Sequence, residues 1–352
     1  LSACGDQVWN SPYPPEQADQ NILYSSFSER PKHLDPARSY SSNEVVFTGQ
    51  IYEPPLQYHF LKRPYQLEPA TVTAMPVPHY LDQQGLPLPA DAPADKIAYS
   101  VYDIEIQAGI HYQPHPAFAK DQQGQFLYHA LSEQDLESVE TLSDFHETGS
   151  RELVAEDYAL QIKRLAHPRL HSPILGLMSD YIVGLGDYAT TLKQAFEDNS
   201  EVESAAVSLD LRDYPLAGVE VLDRYRYRVR IHGKYPQFLY WLAMPFFAPV
   251  PWEADLFYSQ PGLKERNISL DWYPLGTGPY MLTVNNPNRQ MVMERNPNFH
   301  GERYPQEGEN GDAEQGYLDD AGRPLPMIDK VIYSLEKEAI PTWNKFLQGY
   351  YD

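Results

Sequence analysis

The 352 residues carry 49 Asp and Glu against 27 Lys and Arg, a formal net charge of -22. That balance excludes the basic footprint a nucleic-acid binder needs to displace counterions, and a basic patch for docking on anionic lipid. Hydrophobic residues make up 42%, enough for ordinary folded cores and a soft prior of more than one domain, and no apolar run reaches the roughly eighteen residues needed to cross a bilayer.

The first feature in chain order is the single cysteine, Cys4. A lone cysteine forms no internal disulfide. Its setting, Leu1-Ser2-Ala3-Cys4, resembles a bacterial lipobox, in which small residues fit the signal-peptidase groove and the cysteine is acylated. On this reading the mature protein starts at Cys4 and sits lipid-anchored in the periplasm or at the cell surface. Residues 1–20 are then lipobox and tether, because Gly5 to Gln20 is polar and proline-rich.

Tyr24 to Phe27 predicts a short strand, followed by the turn His33-Leu34-Asp35-Pro36. Val45 to Tyr52 mixes β-branched and aromatic residues, so pattern leaves helix and strand both open there. Asp82-Gln83-Gln84-Gly85 predicts a turn, and Ala98 to Ile106 alternates as a strand. From Arg151 the period changes: Val154, Tyr158, Ile162 and Leu165 recur at helical spacing until Pro168. Leu192 to Glu197 predicts another helix. Arg224 to Ile231 predicts the clearest strand, with Tyr225, Tyr227, Val229 and Ile231 on one face and four arginines on the other. The arginine row reads as a solvated face balanced by carboxylates rather than as an anion site. Pro236 opens a helix over Phe238 to Met244. Tyr80 to Pro89 resembles Tyr317 to Pro326, two Asp-x-x-Gly loops that predict one loop solution used twice.

Nucleotide, serine-hydrolase, zincin and paired Cys-x-x-Cys motifs are absent. Gly276-Thr277-Gly278-Pro279 lacks the third glycine of a dinucleotide loop, and its proline withholds an N–H from any phosphate. The pairs His111/His115 and His167/His171 are interrupted by Pro114 and Pro168, so neither sets two imidazoles on a helical face, and no metal is expected. The acidic stretch Glu307 to Asp312 lacks EF-hand spacing. Abundant tyrosine and carboxylate leave a competing class open, a secreted glycosidase-like enzyme working through paired acids.

One stretch carries a family resemblance. Gly276-Thr277-Gly278-Pro279-Tyr280, followed by a hairpin-like gap and Val292-Met293-Glu294-Arg295-Asn296-Pro297-Asn298-Phe299, is similar to the signature of family 5 extracellular solute-binding proteins, the peptide receptors of ABC importers. His33-Leu34-Asp35-Pro36 resembles the family's early Leu-Asp-Pro, and Tyr52-Glu53-Pro54-Pro55-Leu56 its Tyr-Glu-x-Leu. Ile106 to Tyr112 resembles a strand end, with Gln107 where arginine is common. Val154 to Tyr158 and Ile162-Lys163-Arg164-Leu165 resemble a helix opening on Ala-x-Asp and closing on Lys-Arg-Leu, and Pro249-Val250-Pro251 also fits.

The resemblance implies an α/β clamp of the periplasmic-binding-protein type (class II), its first lobe carrying an inserted extra domain and its second lobe missing from this sequence. Domain I would comprise 21–52 and 224–352, and the inserted domain II 53–223. The implied function is an extracytoplasmic receptor that captures short peptides for an ABC importer permease, with no catalysis and no cofactor. The implied ligand contacts are Tyr40, Ser41 and Ser42, in the loop after Leu-Asp-Pro, and Ile174, which follows Ser172-Pro173 where the family has tyrosine.

Overall fold

The computed structural model describes residues 12–14, 17, 19–200 and 209–352. Cys4 and most of the tether lie outside the described residues. Tyr13 is described, and its ring stacks on Tyr24 with centroids 3.7 Å apart. No helix among the described residues is long and apolar enough to cross a membrane.

In chain order the elements are β1 (Ile22–Phe27), α1 (Ser42–Ile51), β2 (Leu56–Tyr58), β3 (Leu67–Pro69), β4 (Pro78–Leu81), β5 (Pro87–Leu88) and β6 (Tyr99–Glu105). Three helices follow: α2 (Ala155–Arg164), α3 (Leu175–Tyr181) and α4 (Leu185–Ser200). Then come β7 (Val219–Asp223), β8 (Arg226–His232), α5 (Phe238–Trp241), α6 (Trp252–Ser259), β9 (Tyr280–Asn286), β10 (Gln290–Arg295), β11 (Glu302–Arg303), β12 (Pro324–Leu325), β13 (Lys330–Leu335) and α7 (Ala339–Leu347).

Two larger sheets organise them. A five-stranded antiparallel sheet runs β5-β4-β6-β8-β7, and a four-stranded sheet runs β1-β13-β10-β9 with β1 parallel to β13. The first sheet sits over a large core that includes Tyr102, Ile104, Tyr158, Tyr227, Phe238 and Phe257. The second sheet closes on a smaller core of Leu34, Phe47, Ile51, Tyr280, Met291, Met293 and Val331.

The strand over 226–232 buries Tyr227, Val229 and Ile231 in alternation. Three of the four arginines over 224–230 meet carboxylates: Arg224 with Glu152 at 2.6 Å, Arg226 with Asp223 at 2.7 Å and Arg228 with Asp103 at 2.6 Å. The guanidinium of Arg230 lies 5.8 Å from the centre of the Tyr99 ring. Because β8 pairs with β7 and with β6, the five-stranded sheet draws on both sides of the 223/224 division expected from sequence.

The segment over 45–51 is helix, and Tyr52 follows it with extended backbone. Ser41 and Glu44 form a capping pair, in which the Glu44 carboxylate accepts the Ser41 N–H at 3.1 Å. Phe47 and Ile51 then fall on one face four residues apart and enter the small core, and Pro54-Pro55 blocks continuation. The Asp-x-x-Gly solution does recur, but at Asp121 rather than Asp319. Asp82 Oδ1 accepts from Gln84 and Leu86 N–H, and Asp121 Oδ1 from Gln123 and Gln125 N–H, all at 2.8–2.9 Å. The Tyr317 to Pro326 stretch shares with Tyr80 to Pro89 a positive-φ glycine, Gly322 against Gly85, and a short strand after it, β12 on β11 as β5 on β4.

The Gly276-Thr277-Gly278-Pro279 turn joins the two cores. Gly278 N–H donates to Ile51 O at 2.9 Å, and Gln113 N–H donates to Gly276 O at 3.0 Å. A Cβ on Gly276 would stand 1.9 Å from Ile51 O, so the glycines are needed for close backbone approach to the end of α1. Asn296, after β10, locks the turn from the other side, donating through its side-chain amide to Gly278 O at 2.9 Å.

Candidate ligand-binding site

Helix α2 carries a polar seam through the large core. Asp157, Gln161 and Arg164 are spaced four and three residues apart, so they share one helical face, and all are buried. Buried charge is tolerated only when paired and hydrogen-bonded, and each end of the seam has a clamp. Arg151 binds Asp157 through Nη1 and Nη2 at 2.8 and 2.6 Å, and Glu253 of α6 through Nε and Nη2 at 2.7 Å each. Arg164 binds Asp35 through Nη1 and Nη2 at 3.0 and 2.7 Å, and Asp255 of α6 through Nε at 2.8 Å. Gln161 lies between them on the helix, accepting from Arg164 at 3.0 Å and donating to Phe246 O at 3.0 Å.

This explains two sequence motifs at once. The aspartate of Leu-Asp-Pro and the arginine of Lys-Arg-Leu are partners. Burial alone would raise the Asp35 carboxyl, but the charge and hydrogen bonds of Arg164, with the Ala37 N–H, hold it below the usual carboxylate range. Burial likewise opposes the charge on Arg164, and Asp35 and Asp255 outweigh it and keep the guanidinium protonated.

The loop around Asp35 is fixed at three more points. Asp271 pairs with Arg38 and lies 3.3 Å from His33 Nδ1. Burial and the nearby Asp35 charge push the Asp271 carboxyl up, against Arg38. Glu44 gathers the backbone N–H groups of Lys32, His33, Tyr40 and Ser41 at 2.9–3.1 Å. These bonds overcome the burial that would raise its carboxyl and hold it low.

Beside this network is a cavity of about 210 Å³. Its walls come from the Leu-Asp-Pro loop (Asp35, Arg38), the end of α2 and the turn after it (Arg164, His167, Arg169), Asp255 of α6, and the 264–271 segment (Lys264, Asp271). Burial lowers His167 below the usual imidazole value, so this wall group is neutral near pH 7.

Of the residues expected to contact ligand, Tyr40, Ser41 and Ser42 are consecutive on the loop after Leu-Asp-Pro, and none of the four lines this cavity. Tyr40 is 69% exposed with its ring centre 6.0 Å from that of Phe246, Ser41 caps α1, and Ser42 is exposed at its first position. Ile174 is apart from them, buried in the large core ahead of α3. Sequence reading passed over Arg38, Arg169, Asp255, Lys264 and Asp271. Isolated charged residues carry no pattern, and only the fold collects them.

Three of the four histidines in the two pairs have hydrogen-bond neighbours in the protein, His167 Nδ1 accepting from Arg169 N–H at 3.2 Å. His115 Nε2 lies 2.7 Å from the Tyr258 hydroxyl and its Nδ1 accepts from Ala117 N–H, while His111 Nδ1 is 2.9 Å from Gly109 O. Among the described residues no group of three or more His, Cys, Asp or Glu side chains could hold a metal ion.

Comparison with known proteins decides the family. Residues 145–352 match the bacterial extracellular solute-binding proteins, family 5 Middle. The chain belongs to that family. No curated protein sequence matches this family 5 chain. Its fold is that of periplasmic peptide-binding proteins. The DppA periplasmic binding protein of Helicobacter pylori, solved with the peptide STSA, superposes with a TM-score of 0.54 at 17% identity, over 94% of this chain and 45% of its own. OppA of Burkholderia pseudomallei gives 0.55 at 15%, over 95% and 46%, and the Escherichia coli murein tripeptide binding protein MppA gives 0.55 at 13%, over 95% and 45%. This family 5 chain therefore spans a little under half the length of the structures it resembles.

Proposed function

We propose that this family 5 protein is the extracytoplasmic receptor of an ABC importer, binding short peptides and handing them to a permease without catalysis. The observation that carries the reading is the family match over 145–352, the part of the chain that supplies Arg164, Asp255, Lys264 and Asp271 to the cavity. In this reading Tyr40, Ser41 and Ser42 meet the ligand directly. Ile174, being buried, acts by holding the Ser172-Pro173 turn. Because β8 belongs to the five-stranded sheet and the large core runs to Leu275, we set the return to domain I at the Gly276 turn rather than at residue 224. Cys4 would anchor the protein to a membrane, in the periplasm or at the cell surface.

The test is mass spectrometry of small molecules released on denaturing protein purified from its natural host, followed by calorimetric titration with the species found. Peptides that rebind at about micromolar Kd, near 8 kcal/mol, are expected. Release of no peptide, with no heat from a mixed peptide library, overturns the reading, and turnover of glycosides in the same preparation would replace it with the enzymatic one.

A further inference from the structure

A second cavity opens between the end of α1, the β2–β3 hairpin and the β11–β12 pair, and it shares no lining residue with the first. Its volume is about 520 Å³, inside the roughly 300–1,000 Å³ typical of small-molecule sites. Four aromatic rings stand in its walls, Tyr58, Phe60, Tyr280 and Tyr304, with two carboxylates, Glu53 and Glu302. No Lys, Arg or His is among the described residues that line it.

The carboxylates are only partly compensated by the protein. The side-chain amide of Gln57 donates to Glu302 Oε1 at 2.6 Å and to Glu68 Oε1 at 3.1 Å, so two acids share one neutral donor group. Burial and the charges of Glu53 and Glu68 push the Glu302 carboxyl up, against the Gln57 bond. Glu53 Oε1 lies 2.9 Å from His300 Nε2. Burial opposes charge on that imidazole, and Glu53 and Glu302 outweigh it and push it up. Glu53 Oε2 is buried and has no hydrogen-bond partner among the described residues. The cations of the hairpin are engaged elsewhere. Lys62 Nζ donates to Gly308 O at 3.0 Å, and Arg63 donates to Lys62 O at 2.9 Å with its guanidinium 4.7 Å from the centre of the Tyr65 ring.

Aromatic walls beside undercompensated carboxylates favour one chemistry. Ring faces attract a cation, apolar stems bury against them, and carboxylate oxygens accept ammonium N–H in charge-assisted bonds. A neutral apolar guest would leave Glu53 Oε2 without a donor, which is costly for a buried carboxylate oxygen. We propose that this cavity binds an organic cation, a primary ammonium on an apolar stem, with the stem along the aromatic walls and the charge on Glu53 and Glu302. The site uses none of the residues assigned above to the peptide. Such a cation comes from two sources, a free alkylamine or a lysine side chain.

Ligand-observed NMR titration of the full chain separates them. The probes are hexylammonium, N-acetyl-lysine N-methylamide and, as the neutral control, hexan-1-ol. One of the two ammonium probes should bind about tenfold more tightly than the alcohol, naming the source. Glu53→Gln and Glu302→Gln should each erase most of that preference and leave the affinity for hexan-1-ol unchanged. Glu302→Gln removes a carboxyl that its neighbours already disfavour, so it should keep the melting temperature, and it decides the matter if Glu53→Gln fails to fold. Three results overturn the site: equal binding of all three probes, binding of none at millimolar concentration, or a preference that survives Glu302→Gln and so reports only the general pull of a chain of net charge -22. Each of these leaves the peptide-receptor reading intact.

Discussion

Asp35 and Arg164 stand 129 residues apart in sequence and meet in a two-point ion pair, with Nη1–Oδ1 at 3.0 Å and Nη2–Oδ2 at 2.7 Å. Both are at most 3% exposed. The pair ties the loop bearing Tyr40 to the end of α2, and both residues stand in the wall of the cavity.

Breaking that pair from one side strands a buried charge. Arg164→Met should destabilise the protein by about 3–5 kcal/mol, because Asp35 loses both its guanidinium bonds and Asp255 its one. By contrast Arg228→Ala, which removes a half-exposed partner of Asp103, should cost less than about 1 kcal/mol. Urea denaturation at pH 7 compares the two, and similar losses would show that Asp35 is not held as described. The pH dependence has a definite sign. The Asp35 carboxyl is lower folded than unfolded, so its contribution is complete above the unfolded value and is lost as pH falls through the folded one. Arg164→Met should therefore flatten the acid limb of the stability curve below about pH 4.

His115 acts in a higher window. Burial holds its imidazole at about 3, well below the ordinary histidine value. Between about pH 6.5 and 3 the unfolded chain takes up this proton and the folded chain does not, so stability falls as pH falls, by about 1.4 kcal/mol per pH unit. His115→Gln should cost stability at pH 7 through the lost Tyr258 contact, yet reduce the proton uptake on unfolding at pH 5 by about one. Chemical denaturation at pH 7, 6 and 5 reads both effects.

The glycine turn gives a steric prediction. A Cβ on Gly278 would lie 2.6 Å from Gln50 O and 2.7 Å from Ile51 O, against main chain that has no rotamer to retreat into. Gly278→Val should lower stability by roughly 1–3 kcal/mol, and Gly276→Ala, with its 1.9 Å approach, by at least as much. Thermal melts of both variants check this, and an unchanged Tm in either would show that α1 does not need the close approach.

Anchoring is tested at Cys4. In the natural host the wild-type protein should partition into detergent and Cys4→Ala into the aqueous phase, because each buried methylene of an acyl chain is worth about 0.8 kcal/mol. Equal partitioning of the two would remove the lipid anchor.

Local pattern determined several elements of this protein. The alternation at 226–232 placed Tyr227, Val229 and Ile231 inside, and the helical spacing from Val154 marked α2, because both periods follow from backbone geometry alone. The motif residues Asp35, Arg164, Gly276 and Gly278 were also visible as motifs. Their reasons were not. Asp35 needs Arg164, and Gly278 needs the carbonyl of Ile51, and neither partner lies near in sequence. The segment at 45–52 read equally as helix or strand until its Ser41–Glu44 cap and the shared burial of Phe47 and Ile51 settled it. Arg169 and Lys264 gave no signal at all. A charged side chain on a surface loop matches every local rule, and only the tertiary structure brings these two onto one cavity whose carboxylates are already taken.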